Sequence, residues 1–484
     1  MKIHSVKFNF IMNFIMTASS ILFPLITFPY ISRVLLSAGS GKVAFASSVI
    51  TYFTMFASLG IPTYGIRACA KVRDDKEKLS KTVQELLIIN SVTMLITVIA
   101  FALSVIFVPK FWAEKELFII NGIGMVLNVF AVNWLYNALE QYAYITACNL
   151  AVKIVSLLLM FALVRNPDDY VIYGAITMFA SCASYIFNFV YARKFISLKK
   201  QEDYQFLIHM KPIFIFFATS AAINVYTNLD VVMLGFMKGD RDVGYYNAAI
   251  KIKTILVTLI TSLGTVLLPR LSYYVKKGED EAFYRMIGKA VNFVVLIGTP
   301  LTLYFGMYAK ESILFLAGED FMGAVAPMVI LMPTLLLIGL SNITGIQILT
   351  PRNREKQVLY SILWGAGIDF LLNLVLIPRY SSSGAAFATV AAELAVLLIQ
   401  CIYLKEILKK LTEQTSLRKI LVATAASCAA GAGVKALATG LSPFLMLVLS
   451  AWVFFGIYGA VLLAVKEKMV WEIVGTLLCH KHKR

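Results

Sequence analysis

The chain has 484 residues, of which 59% are hydrophobic and 15% charged, and its 44 Lys and Arg against 27 Asp and Glu give a net charge of +17. A soluble globule carries about 45–50% apolar and about 25% charged residues, so this composition, with a mean hydropathy of +0.78, excludes a water-soluble fold and leaves a bilayer as the solvent. The basic excess would suggest nucleic acid in a soluble chain, but here it sits between apolar runs and implies no nucleic-acid partner.

A helix that crosses the hydrocarbon needs about 20 apolar residues. Such runs fall near 8–32, 43–66, 86–108, 117–138, 143–164, 170–191, 212–236, 244–268, 288–308, 324–349, 357–377, 384–404, 418–438 and 444–465. They predict an all-α polytopic membrane protein of about fourteen transmembrane helices with short connections. The first run follows a basic start, Met1–Lys7, without a small-residue cleavage site, and reads as a retained helix. Charge alternates along the connections. One set begins with Lys2 and Lys7, continues through Arg67–Lys81, Arg193–Lys211, Arg270–Lys289, Arg352–Lys356 and Lys405–Lys419, and ends with Lys466–Arg484; it holds 31 of the 44 basic residues. The positive-inside rule puts that set and both termini in the cytoplasm. The six cysteines (Cys69, Cys148, Cys182, Cys401, Cys428, Cys479) show no CxxC spacing and read as packing residues, so no metal and no cofactor is expected.

An internal repeat emerges. Gly39-Ser-Gly-Lys-Val43 recurs as Gly239-Asp-Arg-Asp-Val243, Ser58-Leu-Gly60 as Ser262-Leu-Gly264, Arg67 as Arg270, and Gly174-Ala175 as Gly384-Ala385. Spans 1–6 and 7–12 are therefore expected to be two parallel six-helix lobes related by an axis along the membrane normal. The implied division is 1–200, 201–410, and an appendage over 411–484 with two C-terminal helices and a basic tail. Lobes of this kind enclose a central cavity and rock against each other. Prolines and glycines at Pro24, Pro29, Gly60, Pro62, Gly264 and Pro269 mark the expected bends.

Several segments carry a family resemblance. They are Phe28-Pro-Tyr-Ile-Ser-Arg33, Gly60-Ile-Pro-Thr-Tyr-Gly-Ile-Arg67, Asn133-Trp-Leu-Tyr-Asn-Ala-Leu-Glu140, Asn247-Ala-Ala-Ile-Lys-Ile-Lys253, Ser262-Leu-Gly-Thr-Val-Leu-Leu-Pro-Arg270, Gly345-Ile-Gln-Ile-Leu349 and Gly384-Ala-Ala-Phe-Ala-Thr-Val-Ala-Ala-Glu393. Together they resemble the Wzx-type repeat-unit flippases for O-antigen and capsular polysaccharide. That group belongs to the superfamily that also holds the lipid II flippase and multidrug antiporters. The resemblance implies an undecaprenyl-diphosphate-linked oligosaccharide as substrate, a polymerase and chain-length machinery as partners, and a coupling ion, proton or sodium. It departs at Ala68, where relatives often carry an acid, and at Asp369, where asparagine is commoner.

A flippase must shelter a diphosphate and sugars from hydrocarbon, and ionisable residues inside spans are the first candidates. Asn247, Lys251, Thr254 and Thr258 form one polar stripe at helical spacing in span 8, matched in span 2 by Ser47, Thr51, Thr54 and Ser58. Lys251 is thus a head-group candidate, whereas Lys253 reads as snorkelling to the interface. Arg33 offers a planar fork for a diphosphate, with Asp230 near the same depth as a releasable partner or a permanent structural pair. Arg67 either receives the incoming diphosphate or anchors topology. Lys153, on a stripe with Asn149 and Ser156, and Asp369, with Asn373 one turn on, are gating candidates, and Glu393 is a candidate proton carrier; packing pairs are the duller reading. Because moving one charge across 100 mV involves roughly 2.3 kcal/mol, a cytoplasm-negative potential drives an anionic head outward.

An enzyme is not expected. A membrane polymerase or ligase needs a sizeable outer loop, yet the connections near 165–170 and 309–323 are short and lack His, and His4, His209, His480 and His482 all map to the cytoplasmic side. A small-molecule or cation antiporter of the same superfamily is the other alternative; the cationic candidates favour an anionic substrate.

Overall fold

The computed structural model describes residues 6–407 and 416–472. Expectations placed on Lys2, His4, the Lys7 side chain, Lys409, Lys410, Cys479, His480, Lys481, His482, Lys483 and Arg484 lie outside the described residues. In chain order the α-helices are α1 Val6–Ser58, α2 Ile61–Lys71, α3 Lys76–Phe107, α4 Pro109–Ala113, α5 Lys115–Leu127, α6 Asn133–Ala138, α7 Tyr142–Leu163, α8 Tyr170–Ala192, α9 Phe206–Met237, α10 Asp240–Lys277, α11 Asp280–Met307, α12 Ala309–Leu316, α13 Val325–Leu331, α14 Thr334–Asn342, α15 Glu355–Tyr403, α16 Leu417–Leu437 and α17 Pro443–Ala464.

Twelve segments among the described residues are long and apolar enough to cross a membrane. Two of them, Leu22–Lys71 and Glu355–Tyr403, have 50 and 49 residues, or about 75 Å of helix against a hydrocarbon core of about 30 Å. Each is interrupted at a residue with positive φ, Leu36 (φ 58°) in α1 and Ser381 (φ 51°) in α15. Counting each as a pair gives the fourteen spans expected from hydropathy. Backbone stays helical through Pro24 and Pro29 in α1 and through Pro269 in α10, because a membrane helix tolerates the lost bond when neighbours satisfy the freed carbonyl. The α1–α2 break at Leu59 (φ 47°) does coincide with Gly60. There α9 passes so close that a Cβ on Gly60 would collide with the Ile213 carbonyl and stand 2.6 Å from the Phe217 nitrogen.

The interior core is largely apolar, and large apolar side chains cover the outside as well. Leu95, Phe107, Leu207, Leu371 and Trp452 are more than half exposed, while Asn90, Asn121, Asn188, Asn292 and Asn373 are buried. Apolar side chains facing outward and polar ones inward is the arrangement lipid requires.

Packing divides the chain into two compact units, Met1–Gly244 and Tyr245–Arg484. In the first, α1 packs on α3, α5, α7, α8 and α9. The connection leading into α9 is stitched to α3: the Ser197 amide donates to Ser80 Oγ at 2.9 Å, Gln84 Nε2 donates to the Ser197 and Lys199 carbonyls at 2.7 and 3.0 Å, Tyr204 donates to Gln84 Oε1 at 2.7 Å, and the Gln205 amide donates to Glu85 Oε1 at 2.7 Å. These bonds hold α9 to the helices before it. In the second unit α11 packs on α14 and α16. The α16–α17 hairpin is fastened to α11 by hydroxyls that bond backbone carbonyls, Tyr308 to Gly431 at 2.7 Å, Tyr304 to Leu447 at 2.9 Å and Tyr458 to Leu296 at 2.7 Å.

Candidate functional site

The first unit contains a cavity of about 510 Å³, and a second of about 230 Å³ shares Thr51, Thr54, Asn128 and Tyr185 in its wall. The second half of α1 presents Ser47, Thr51, Thr54 and Ser58, spaced to fall on one helical face, to these cavities. Opposite, α5 ends at Leu127 in a 3₁₀ turn over Asn128–Phe130, and α6 restarts at Asn133. That interruption brings Asn128, Asn133, Trp134 and Asn137 to the wall, with Asn90 from α3 and Asn224 from α9. None of the lining residues is charged. Part of the wall is internally bonded: Ser58 Oγ donates to Asn128 Oδ1 at 2.8 Å, Asn188 Nδ2 to Asn133 Oδ1 at 2.7 Å, and Asn224 Nδ2 to the Ser220 carbonyl at 2.9 Å. The buried Oδ1 atoms of Asn90 and Asn137 have no hydrogen-bond partner among the described residues.

At the end of this unit away from the basic loops, ion pairs and bare backbone bring the helix ends together. Lys42 Nζ lies 2.6 Å from Glu114 Oε1, and Tyr170 donates to the other carboxylate oxygen at 2.8 Å. Lys110 pairs with Asp240 at 3.1 Å, bonds the Gly235 carbonyl and lies over the Phe45 ring. The two repeat segments meet here: a Cβ on Gly41 would collide with the Asp240 carbonyl and lie 2.9 Å from the Gly244 nitrogen, and one on Gly244 would collide with the Ser37 carbonyl. Only glycine permits this approach.

The candidates from sequence are spread over both units. In the first, Arg33 is exposed and donates to the Pro29 carbonyl at 2.8 Å, Arg67 is exposed on α2, Asp230 is buried in α9, and half-buried Lys153 donates to Ser19 Oγ at 3.1 Å. None of these four lines the two cavities. In the second unit Asn247 and Lys251 are half-buried on α10, and Thr254 and Thr258 on the same stripe return their hydroxyls to the Ile250 and Thr254 carbonyls at 2.8 Å. Asp369 and Asn373 are buried on one arm of α15, Thr389 and Glu393 on the other. Asp369 and Glu393 stand equally far from the Ser381 break, about 18 Å along each arm, which gives them matching depth. The Tyr246 hydroxyl shares a 2.7 Å hydrogen bond with Thr389.

Residues 6–275 match the family described as polysaccharide biosynthesis protein. A proposed O-antigen transporter of Escherichia coli (strain K12) is 25% identical over 405 residues, 83% of this chain and 97% of that protein. The lipid II flippase MurJ in an inward closed conformation superposes with a TM-score of 0.72 at 14% identity, over 95% of this chain and 98% of that one. An inward-facing multidrug resistance MATE family transporter of the MOP superfamily gives 0.58 at 13% identity, over 80% and 95%. At such identities the structures speak for the fold, which a lipid flippase and a drug transporter share, while the family match covers more than half of this chain. The chain is a multi-pass membrane protein that belongs to the polysaccharide biosynthesis protein family.

Proposed function

We propose that the protein carries an undecaprenyl-diphosphate-linked oligosaccharide from the cytoplasmic to the outer leaflet of the inner membrane by alternating access, with both termini in the cytoplasm. The observation that carries this reading is the polar cavity of the first unit, set in a fold whose outer surface is apolar and stitched together at the end away from the basic loops. Such a cavity gives a hydrophilic head a route that hydrocarbon denies it. Lys251 supplies a cation for the diphosphate; its support is the repeat, since Ser47, Thr51 and Thr54 line a cavity and Asn247, Lys251 and Thr254 are their counterparts. Arg67 takes the incoming diphosphate at the cytoplasmic end, and Arg33 grips it toward the outer end, with Asp230 as a releasable partner of Arg33 or Lys251.

Deleting the gene is expected to make lipid-linked repeat units accumulate on the inner leaflet, read by leaflet-selective labelling of extracted membranes. Lys251→Ala is expected to lower export about tenfold with the protein still inserted, a loss of about 1.4 kcal/mol; normal export would remove Lys251 from the mechanism.

Coupling is assigned to Lys153, Asp369 and Glu393. Buried intramembrane carboxylates at matching depth suit a proton or sodium ion that resets the carrier. Asp369→Asn and Glu393→Gln are expected to leave substrate binding in place and to abolish the response of transport to an imposed proton or sodium gradient in proteoliposomes. An unchanged response in both variants would leave the membrane potential as the driving force.

A further inference from the structure

We propose that the cavity of the first unit is the site that reads the sugar, and that it takes an uncharged, hydroxyl-rich saccharide while the diphosphate is held elsewhere. The inference rests on the flippase reading and narrows it. The cavity volume of about 510 Å³ lies within the roughly 300–1,000 Å³ of small-molecule sites, so it accommodates an organic ligand rather than a single ion.

The lining decides the chemistry. A diphosphate is an acceptor-only anion and calls for Lys, Arg or a metal, and the wall has no charged side chain. It has instead Asn90, Asn128, Asn133, Asn137 and Asn224. Each carboxamide holds donor and acceptor in one plane, which complements vicinal hydroxyls that both donate and accept. Asn90 is 6% exposed, and its Oδ1, like that of Asn137, has no partner among the described residues. An unmatched buried acceptor costs free energy until a donor arrives. A sugar hydroxyl or acetamido N–H is such a donor; a diphosphate is not. Trp134 and Tyr185 add aromatic surface in the same wall, and Trp134 is fixed by Gly65, where a Cβ would stand 2.7 Å from the indole ring.

Asparagine is costly in hydrocarbon unless partnered, yet these amides come from α3, the turn after α5, α6 and α9 and converge on one space. Two of them, on different elements, carry a buried oxygen with no partner among the described residues.

The test uses the full-length protein in nanodiscs and two probes: undecaprenyl diphosphate without sugar, and the undecaprenyl-diphosphate-linked saccharides extracted from cells lacking the transporter. Asn90→Leu and Asn137→Ser are expected to weaken binding of the saccharide-bearing lipid about tenfold and to leave the sugar-free lipid unchanged. Asn137 is only half-buried, so the serine variant carries the result if Asn90→Leu folds poorly, and melting curves separate the two cases. Equal loss for both lipids in an Asn137→Ser protein that melts like the wild type would make this a diphosphate or tail site and overturn the assignment. No loss for either lipid would reduce the cavity to a solvated void and overturn it as well. Binding of neither probe by the wild type would instead bring down the flippase reading, and the subsite with it.

Discussion

Replacing Gly41 with leucine is expected to cut export at least tenfold while the protein remains in the membrane at normal abundance. At Gly41 the hydrogen on Cα is all that separates α1 from the Asp240 carbonyl and the Gly244 nitrogen. Overpacking in a close-fitted contact costs about 1–3 kcal/mol, and here the cost falls only on the state in which these two helix ends touch. Alternating access runs on differences of that size, because each 1.4 kcal/mol shifts an equilibrium about tenfold. The substituted protein should therefore dwell with this end apart and fail to complete its cycle. Gly244→Leu, which clashes with the Ser37 carbonyl, should act the same way. The double variant should cost less than the sum, since both changes break one contact. The state can be read directly: Ser37 is 1% exposed, and a cysteine placed there should react faster with a membrane-impermeant maleimide when Gly41 is leucine. Normal export by an overpacked Gly41 variant would show that this contact does not gate the pathway.

The repeat made that contact half-visible in the sequence. Gly39-Ser-Gly-Lys-Val43 and Gly239-Asp-Arg-Asp-Val243 are recognisable as counterparts, but only three dimensions show these two short segments in contact. The spans were legible because hydrocarbon imposes a length and a composition on every crossing. The breaks were less so: Leu36 and Ser381 adopt positive φ without being glycine, while the backbone stays helical through Pro24, Pro29 and Pro269. The candidate site was read through its charges, since an ionised side chain in a span stands out one residue at a time. That signal leads to Lys251, Asp369 and Glu393 and passes over a wall of neutral amides. Asn90, Asn128, Asn137 and Asn224 lie on separate elements with no common spacing; the available clue was each asparagine's cost inside an apolar run. The Ser47–Ser58 stripe was legible because a single helix carries all of it. Lys42–Glu114 and Lys110–Asp240 were not, because each joins segments far apart in the chain.

His209 shows the same limit, and it carries the second large effect: Glu85→Ala is expected to lower the melting temperature by several degrees and to reduce the amount of inserted protein. Topology alone assigns His209 to the basic end of span 7. The structure buries it at 4% exposure against Glu85 at 3%. His209 Nε2 donates to Glu85 Oε2 at 2.8 Å, its Nδ1 shares a hydrogen bond with the Tyr64 hydroxyl at 2.8 Å, and the other Glu85 oxygen accepts from the Gln205 amide at 2.7 Å. One carboxylate thus joins α3 to the start of α9, and through His209 to α2. Removing one partner of a buried hydrogen bond costs about 1–3 kcal/mol for each group left buried and unmatched. Here the truncation strands both the imidazole and a backbone N–H. Glu85→Gln retains an acceptor for either donor and should recover much of the loss, whereas His209→Phe, which fills the space with an apolar ring, should fall between the two. The ranking Ala below Phe below Gln, read by thermal melting of the purified protein, separates a hydrogen-bonded anchor from simple space filling. If Phe and Gln change places, packing rather than polar matching holds α9 to the helices before it.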